Sequence, residues 1–245
     1  MKRLGMCVII PTYNNGQFLA KALDDVLRYT SSVVVVNDGS TDHTGDVLER
    51  YRARVEVISY PQNRGKGYAL GQGFDRAEML GYAYAVSMDS DGQHFADDLP
   101  LFVAAAKAHP GAMVIGSRAL SQKNMPQKNI FANKFSNFWF TVQTGVRLPD
   151  TQTGFRLYPL ARMKGMRAFT SRYEAELELL VRLAWRNVAQ IPVPIQAHYP
   201  PAGERVSHFR PGIDFLRISV LNTFFVFQAI VYGYPSRLIR SLLKI

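Results

Sequence analysis

The sequence predicts an α/β fold, a mainly parallel sheet flanked by helices, because two kinds of segment alternate along the chain. Residues 6–10 and 33–36 are continuous apolar runs of strand length, and residues 85–88 form a shorter run of the same kind. Such runs are typical of parallel strands that are buried on both faces. Over residues 18–29 and 69–80, apolar residues recur every three or four positions, which is helical spacing. This alternation implies right-handed parallel crossovers in a doubly wound sheet.

Length and composition agree with one such domain. The chain has 245 residues, of which 47% are hydrophobic, enough for a large core. The apolar run near the N-terminus is only a strand long and is interrupted by Pro11, so we expect no secretory signal. Cys7 is the only cysteine, which excludes an intramolecular disulfide and favours a reducing compartment. Its place in an apolar run predicts a buried strand residue.

The formal net charge of +10 is concentrated in one stretch. Between Arg118 and Arg172 there are ten basic residues and a single acid, Asp150. Such a stretch suits an anionic substrate or an anionic membrane surface, where each basic residue adds about 1 kcal/mol of attraction. Nucleic acid is the other common partner of basic charge. The sequence has no recognised nucleic-acid-binding motif and no heavily basic helix, so we expect no nucleic-acid partner.

Four short polar motifs follow the predicted strands or begin the predicted helices. They are Pro-Thr-Tyr-Asn-Asn at residues 11–15, Asn-Asp-Gly-Ser at 37–40, Asn-Arg-Gly-Lys-Gly at 63–67 and Asp-Ser-Asp-Gly-Gln-His at 89–94. Ligands of open α/β sheets bind outside the carboxyl ends of the strands, so these motifs should line one crevice. The series predicts a site for a nucleotide sugar and a divalent metal.

Asp89 and Asp91 are the expected metal ligands. Mg²⁺ or Mn²⁺ is held by a few carboxylates and completed by water and substrate phosphate, so a small set of protein ligands is sufficient. Gln93 and His94 are candidates for a further ligand or for orienting a diphosphate. An acidic turn without a metal is the alternative interpretation of this motif.

Asp38 and Lys66 are the candidates for binding the nucleotide. Asp38 follows a predicted buried strand, where its carboxylate can accept a hydrogen bond from the N–H of a base such as uracil or guanine. Capping of the following helix is the alternative role. Gly65 and Gly67 allow close approach of the backbone, and Lys66 offers a positive charge to phosphate.

With these motifs in this order, the chain resembles the inverting glycosyltransferases of family 2, which have the GT-A fold. Within that family it is similar to the dolichol-phosphate mannose and polyprenyl-phosphate glucose synthases, over about residues 8–210. Gly-Ser-Arg at 116–118 and Asp-Thr-Gln-Thr-Gly-Phe-Arg at 150–156 match further elements of that group. The acidic segment 173–180 and the strand-like residues 193–195 match as well.

The resemblance implies a role for each matching residue. Asp89, Asp91 and Gln93 would hold the metal, and Asp91 would act in catalysis together with Asp150 and Arg118. The donor would be bound by residues of the four motifs and by one later arginine: Pro11, Tyr13, Asn15, Asp38, Lys66, Asp89 and Arg205. A lipid phosphate would be positioned by Arg118, Lys128 and Arg156.

Three departures from the family pattern concern these roles. The first motif usually ends in Glu, where this chain has Asn15, and the second usually has two acids, the first of which is replaced by Asn37. The family's Arg-x-x-Gly-x-Ser loop is replaced by Gly-Glu-Arg-Val-Ser-His at 203–208. Arg205 is the candidate in that loop for contacting a diphosphate or an acceptor phosphate.

The expected reaction moves one hexose from a UDP- or GDP-sugar to a lipid acceptor, with polyprenyl phosphate as the first candidate. A phosphate acceptor is already anionic and needs no strong general base. The alternative acceptor is a hydroxyl of another lipid, an aromatic compound or a glycan, which would need one. Asp150 is the first candidate base, since it is the only carboxylate in the basic stretch, and a turn cap or an ion pair with Arg156 is its structural alternative. Two other classes remain open: a protein that binds a nucleotide sugar without turnover, and a nucleotidyltransferase.

Residues 1–210 are expected to form the GT-A domain, and residues 211–245 helices at a membrane interface. Residues 218–234 are mostly apolar and have basic residues on both sides. This pattern favours peripheral attachment to the cytoplasmic face of a membrane, with a second short helix after Pro235. A helix that packs in the core or in a dimer, or a membrane span, is the alternative.

Phe131, Phe135 and Phe138 share one face of another predicted helix. That face suits contact with lipid, and core packing is the alternative. The sequence makes no prediction of the oligomeric state.

Overall fold

The structure is a computed structural model that describes residues 1–118, 127–198 and 211–243. Within these ranges, the side chains of residues 127–129, 211 and 213–215 lie outside the description.

Seven strands form one sheet in the described ranges, in the order β3-β2-β1-β4-β6-β5-β7. β6 runs antiparallel to β4 and β5, and the other pairs are parallel. The mainly parallel sheet predicted from the sequence is therefore confirmed. The strands are β1 (Met6–Thr12), β2 (Val33–Asp38), β3 (Glu56–Tyr60), β4 (Tyr84–Ser87), β5 (Met113–Arg118), β6 (Arg156–Pro159) and β7 (Gln190–Ile195).

Helices cover both faces of this sheet. They are α1 (Gly16–Leu27), α2 (Thr44–Tyr51), α3 (Lys66–Met79), α4 (Leu99–Ala108), α5 (Gln127–Thr144), α6 (Leu160–Met163), α7 (Glu174–Trp185), α8 (Pro211–Gln228) and α9 (Tyr234–Leu243). α1 and α3 confirm the two helices predicted between the strands. Their last predicted residues, Tyr29 and Leu80, lie beyond the helix ends and are exposed, so the predicted helices are too long at the C-terminus.

The core has two layers, one on each face of the sheet. Along β1, Met6, Val8 and Ile10 belong to the layer with α1, α2 and α4, and Cys7 and Ile9 belong to the layer with α3 and α7. All five side chains are fully buried, because a parallel sheet covered by helices has no face toward solvent. Burial raises the pKa of the Cys7 thiol to about 12, in agreement with its predicted place in a buried strand.

The strand register brings the polar motifs to one edge of the sheet. Thr12 at the end of β1 pairs with Asn37 of β2, and Asp38 pairs with Tyr60 at the end of β3. The Met88 N–H donates to the carbonyl of Ile9, so the segment that carries Asp89 and Asp91 leaves the sheet beside β1. The predicted crevice lies at this edge.

The C-terminal residues of the described chain form one continuous helix. α8 passes through a π-helical turn, Ala229–Gly233, directly into α9, which begins one residue before Pro235. The second short helix predicted after Pro235 is present as α9, but it continues α8 instead of standing apart from it. Proline lacks an N–H and its ring crowds the carbonyl of the preceding turn, and a wider π turn just before it accommodates both without ending the helix.

One side of this helix packs on the domain. Gln143 Nε2 of α5 donates to Asn222 Oδ1 at 2.9 Å, and the rings of Trp185 and Phe225 meet edge to face at 5.6 Å. A Cβ on Gly233 would lie 2.5 Å from the Trp185 indole nitrogen, so glycine permits this close contact. The helix is thus anchored to both α5 and α7.

The opposite side of the same helix exposes a row of large apolar side chains. They include Leu216, Val220, Phe227, Ile230, Val231, Leu238, Ile239, Leu242 and Leu243. Nearby in the fold, Phe131 and Phe138 of α5 are 70% and 59% exposed, so this aromatic face is not core. By length and composition alone, the helix Leu216–Leu243 is long and apolar enough to cross a membrane, and an 18-residue stretch of it has a mean hydropathy of 1.4. Only 22% of that stretch is buried.

Candidate functional site

A cavity of about 720 Å³ opens at the carboxyl ends of β1, β2 and β4. This volume is within the range of small-molecule sites. The predicted metal ligands Asp91 and Gln93 line it. It is also lined by every predicted donor-binding residue that the structure describes, namely Pro11, Tyr13, Asn15, Asp38, Lys66 and Asp89. Arg205 and the rest of the 203–208 loop lie outside the described residues.

Asp38 orders the loop that leads into α3. Its carboxylate accepts the N–H groups of Arg64 and Gly65 at 2.7 and 2.8 Å, and Asn63 Nδ2 at 3.0 Å. It does not cap α2, so that alternative is wrong. Because Asp38 also lines the cavity, contact with a nucleotide base stays a prediction for this residue.

Asn15 holds the segment that carries the two aspartates. Its Nδ2 donates to Ser90 Oγ at 2.9 Å, and the Ser90 hydroxyl donates to Thr12 Oγ1 at 3.2 Å. These hydrogen bonds orient the turn in which Ser90 separates Asp89 from Asp91. Asn15 Oδ1 is buried without a hydrogen-bond partner among the described residues, so a donor on a bound ligand would satisfy it.

Lys66 connects two carboxylates. Its Nζ lies 2.6 Å from Asp89 Oδ1 and 2.8 Å from Glu176 Oε2. Burial opposes the charge of Lys66, but the negative charges of Asp89 and Glu176 outweigh this effect and raise its pKa. Burial likewise opposes the charge of Asp89, whereas the Lys66 ammonium holds the pKa of Asp89 below its ordinary value. Lys66 and Asp89 are therefore both charged at neutral pH.

Asp91 and His94 have different environments in the same turn. Burial and the nearby charge of Asp89 raise the pKa of Asp91 to about 6, and its Oδ1 accepts the Gln93 N–H at 3.0 Å. His94 packs on Phe155, and its Nδ1 accepts the Asp89 N–H at 3.3 Å. Burial lowers the pKa of His94 to about 4, so the ring is neutral. His94 does not line the cavity, so instead of binding a ligand it supports the turn through its hydrogen bond from the Asp89 N–H.

The side chains at this turn fit a divalent metal. Asp89 and Asp91 supply carboxylate oxygens, which Mg²⁺ and Mn²⁺ prefer, and the Lys66 ammonium shows that Asp89 already holds a cation. Within the described ranges, no group of three Asp, Glu, His or Cys side chains is arranged to hold a metal ion. Substrate phosphate and water would therefore complete the coordination, as is common for Mg²⁺.

The two glycines of the third motif permit tight packing against another segment of the protein. A Cβ on Gly65 would lie 2.4 Å from the Ser171 carbonyl oxygen, and one on Gly67 would lie 2.3 Å from Ala175 Cβ. Gly65 also has a φ of 99°, which favours glycine. The close approach of the backbone expected at these glycines is made to the protein itself, where they let the start of α3 approach the segment before α7, and Gly65 also lines the cavity.

This packing brings Arg172 and Tyr173 into the cavity wall, and neither was predicted as a site residue. Arg172 drew attention only as one of the ten basic residues, because 105 positions separate it from Gly67 along the chain. The paired glycines were a usable signal, since glycine in the first turn of a helix often marks close contact with another segment.

Arg118 and Asp150 form a buried ion pair outside the cavity lining. Arg118 Nε and Nη2 donate to the two Asp150 oxygens at 2.7 and 3.0 Å, and Asn133 Nδ2 donates at 2.6 Å. Burial favours neutral Asp150, but the hydrogen bonds and charge of Arg118 outweigh it and lower its pKa. A carboxylate so engaged is suited to hold Arg118, not to take a proton from a hydroxyl. Asp150 therefore has a structural role, as the alternative to a catalytic base predicted, but its ion-pair partner is Arg118 and not Arg156.

Arg156 is placed differently from the prediction. The side chain is 1% exposed, and its guanidinium donates to the carbonyls of Thr151, Thr153 and Glu176 at 2.8, 2.7 and 2.6 Å. The expectation that Arg156 binds the acceptor is therefore wrong, because it holds main-chain carbonyls inside the protein. The side chain of Lys128, the other predicted acceptor ligand, lies outside the described residues.

Gly154 is the point where the Asp150–Arg156 loop meets the Lys66–Asp89 pair. A Cβ there would lie 2.5 Å from Asp89 Oδ2 and 2.7 Å from Lys66 Nζ. We expect Gly154→Ala to displace this pair and to lower the turnover number by roughly tenfold to a hundredfold, because misplaced charge at a reacting diphosphate is costly.

The matched control for that variant is Gly71→Ala in α3. No atom lies within 4 Å of a Cβ built there, and alanine is favoured over glycine inside a helix by about 1 kcal/mol. Steady-state kinetics and thermal unfolding of both variants would be compared. Equal activity of the two variants would contradict the steric argument.

Comparison with known proteins places these features in a family. Residues 7–167 match the family described as Glycosyl transferase family 2. The UDP-N-acetylglucosamine–dolichyl-phosphate N-acetylglucosaminyltransferase of Methanococcus voltae is 28% identical over 214 residues, covering 78% of this chain and 85% of that protein. The dolichyl-phosphate beta-glucosyltransferase of Mus musculus is 31% identical over 208 residues, covering 71% of this chain and 61% of that protein.

Solved structures show the same fold. The glucosyl-3-phosphoglycerate synthase of Mycobacterium tuberculosis, crystallised with Mn²⁺, UDP-glucose and phosphoglyceric acid, superposes with a TM-score of 0.66 at 18% identity. The match covers 91% of this chain and 79% of that one. The same synthase has been crystallised with Mg²⁺ and UDP, with a TM-score of 0.62. At this identity the likeness establishes the fold, and the expected GT-A architecture is confirmed.

Proposed function

The chain belongs to glycosyl transferase family 2, and we propose that it transfers a hexose from a UDP- or GDP-sugar to polyprenyl phosphate at a membrane surface. Membership of the family makes it a glycosyltransferase. The observation that carries the proposal is the cavity at the carboxyl ends of β1, β2 and β4, where Lys66, Asp89 and Asp91 converge. An anionic diphosphate needs such a site, in which cationic and metal-binding groups share one wall.

The proposed donor site separates two functions. Asp38 and Tyr13 lie in the part built by β1, β2 and the loop before α3, and they would contact the nucleoside. Lys66, Asp89 and Asp91 would face the diphosphate. When bound by Asp89 and Asp91, a divalent cation would supply positive charge to the departing nucleoside diphosphate. Lys66 would add a fixed charge, which is effective because the site around it is largely buried.

The acceptor side of the proposal rests on charge and on the relatives. Both curated relatives described above are named for transfer to dolichyl phosphate. In this chain, nine basic residues besides the buried Arg156 lie in the stretch from Arg118 to Arg172, which suits a phosphate acceptor. Arg118 would act there with its guanidinium held by Asp150, and Lys128 and Arg205 remain further candidates. A phosphate oxygen is anionic at neutral pH, so this route does not need Asp150 as a base.

We place the protein on the cytoplasmic face of a membrane through its exposed apolar helix. α8 and α9 are anchored to the domain on one side and leave apolar side chains free on the other, with Arg217 and Arg240 near the two ends. This arrangement supports interfacial binding, in which apolar side chains enter the lipid and basic ones attract anionic head groups.

This attachment predicts that exposed residues of the helix control binding to vesicles. Phe227 and Ile230 are 68% and 67% exposed. Replacing both by serine should weaken binding to anionic vesicles at least tenfold, because burial of each apolar side chain in lipid contributes about 2 kcal/mol to the binding free energy. Met79→Ser is the control, because Met79 is 76% exposed on α3. Co-sedimentation measures the partition, and unchanged binding of the double variant would contradict this attachment.

The test of the proposed reaction is release of nucleoside diphosphate from UDP-glucose, UDP-N-acetylglucosamine, UDP-galactose and GDP-mannose. Each donor would be assayed with Mn²⁺ or Mg²⁺, with and without a short-chain polyprenyl phosphate and with a hydroxylated lipid in its place. Release that requires both metal and lipid phosphate supports the proposal and identifies the donor. Release only with the hydroxylated lipid assigns a hydroxyl acceptor. A separate assay with UTP or GTP and a sugar 1-phosphate tests the nucleotidyltransferase alternative, which would release pyrophosphate.

A further inference from the structure

The Lys66 ammonium is shared between a predicted metal ligand and a helix. Asp89 follows β4, Glu176 lies in the first turn of α7, and Lys66 is the first residue of α3. The side chains of Lys66, Asp89 and Glu176 are 17%, 25% and 9% exposed. In the sequence, Glu176 stood out only as part of the acidic segment 173–180, and the bridge gives it a direct contact with the proposed diphosphate-binding lysine.

Both ends of the Lys66–Glu176 contact are rigidly placed. The Glu176 carbonyl accepts Arg156 Nη1 at 2.6 Å, which fixes the first turn of α7 from inside the protein. The start of α3 is held by the close contact between Gly67 and Ala175, and the Tyr68 N–H donates to the Ser171 carbonyl at 3.1 Å. Neither backbone can follow a moving ligand, so a change of partner at Lys66 is a change of side-chain position.

The charges at this point favour a second cation. Asp89, Asp91 and Glu176 contribute three carboxylates, against the ammonium of Lys66 and the guanidinium of Arg156, whose charge also acts on Asp89. The Asp89 oxygen Oδ1 lies 2.6 Å from the Lys66 ammonium, so a metal that binds this oxygen would compete with Lys66 for its charge. Glu176 Oε2 lies 2.8 Å from Lys66 Nζ, so Lys66 retains an ion-pair partner that is not one of the predicted metal ligands.

We infer that Glu176 is a positioning residue, which retains Lys66 at the diphosphate when a divalent metal takes Asp89 from it. This inference rests on the proposed function and deepens it. Without Glu176, the ammonium would follow Asp89 or turn to solvent, and the diphosphate would lose a fixed positive charge. With Glu176 present, Lys66 would stay in place even when a divalent metal replaces its ammonium at Asp89.

Charge alone and loss of positioning predict opposite effects of Glu176→Gln on nucleotide binding. Glu176→Gln removes a negative charge near an anionic ligand, which by charge alone should tighten nucleoside diphosphate binding. Loss of positioning should instead weaken the binding of UDP or GDP at saturating Mn²⁺ by about tenfold. Glu176→Asp keeps the charge but shortens the side chain, and we expect a smaller loss in the same direction.

The experiment is isothermal titration of UDP and of GDP into the full-length protein at saturating Mn²⁺. Glu174→Gln is the matched control, because Glu174 is equally buried on α7 and has no ion pair to Lys66 among the described contacts. Circular dichroism would check that each variant folds. If Glu176→Gln does not fold, Glu176→Asp answers the question at constant charge.

A second arm measures binding of Mn²⁺ without nucleotide by electron paramagnetic resonance. If Lys66 competes with the metal for Asp89, Lys66→Met should bind Mn²⁺ several-fold more tightly and Glu176→Gln should bind it more weakly. Equal or tighter nucleotide binding by Glu176→Gln and Glu176→Asp would overturn the inference. Failure of the unaltered protein to bind either nucleotide would instead overturn the proposed function, and the Mn²⁺ arm would still report on the exchange at Asp89.

Discussion

Replacing Asp91 by alanine is expected to lower the rate of nucleoside diphosphate release by about 10³-fold, the scale seen when an electrostatic contact to a transition state is removed. Asp91 lines the cavity, and the pKa of about 6 caused by burial and Asp89 shows that its charge is held in a poorly solvated place. Without it, Asp89 is the remaining carboxylate of the turn, and Lys66 already occupies Asp89. The metal would then have a single shared protein ligand.

The control for this variant is Asp97→Ala. Asp97 is close in sequence, but its side chain is 61% exposed and pairs with Arg28 on the surface. Its removal should leave turnover within about twofold, because exposed pairs contribute little. Turnover would be measured over a range of Mn²⁺ concentrations. Activity of Asp91→Ala above a tenth of the unaltered level at high Mn²⁺ would argue that the metal site lies elsewhere.

Replacing Asp150 by alanine is expected to reduce the free energy of unfolding by about 3–5 kcal/mol, the usual cost of breaking a buried pair. Asp150 is fully buried and accepts from Arg118 and Asn133, so its loss leaves a guanidinium that is only 14% exposed without its partner carboxylate. The same change frees Arg118, so acceptor binding should weaken as well. Urea unfolding followed by circular dichroism would measure the loss of stability.

The control is Asp25→Ala, which removes an aspartate with salt bridges to Lys21 and Arg28 on the surface of α1. Because those partners are 78% and 61% exposed, the expected cost is below about 1 kcal/mol. A similar loss in both variants would mean that the Arg118–Asp150 pair is no stronger than a surface pair.

The contribution of Asp150 should also depend on pH. Its pKa in the folded protein is lowered, with burial opposed and outweighed by Arg118, so the folded state binds the proton less readily than the unfolded state does. The stabilisation is therefore present above the unfolded pKa of about 4 and is lost as the pH falls through the folded value. The difference in unfolding free energy between the unaltered protein and Asp150→Ala should be constant near neutral pH and shrink in acid.

Local patterns predicted the mainly parallel sheet and several of the residues that line the cavity. Residues 6–10 and 33–36 read as buried strands because they are continuously apolar, and the sheet contains them as β1 and β2. The turn at Asp89 and Asp91 was recognisable because carboxylates directly follow a strand. Periodicity predicted the ends of helices less well, because the helix predicted to include Tyr29 ends before it. It also did not predict that the last helix continues through Pro235, where a π turn compensates for the missing N–H.

The pairings between distant segments needed the tertiary structure. Asp150 could equally have been a base, a turn cap or a partner of Arg156, and only the fold shows it beside Arg118. Arg156 looked like one more surface cation in a basic stretch until the fold buried it among main-chain carbonyls. The charge of an arginine in a sequence does not reveal whether its guanidinium will be exposed or buried.

The sequence by itself determined the α/β architecture and the edge of the sheet where the cavity lies, because these depend on apolar runs of strand length and on the residues that follow them. The family was indicated by the resemblance of its motifs, taken in their order. Tertiary structure decided that Glu176 contacts Lys66, that Arg172 enters the cavity and that one side of α8 and α9 stays uncovered. Those outcomes depend on how closely α3 and α7 approach and how the last helix docks. Such distances are set by packing between segments far apart in the chain, which local patterns do not encode.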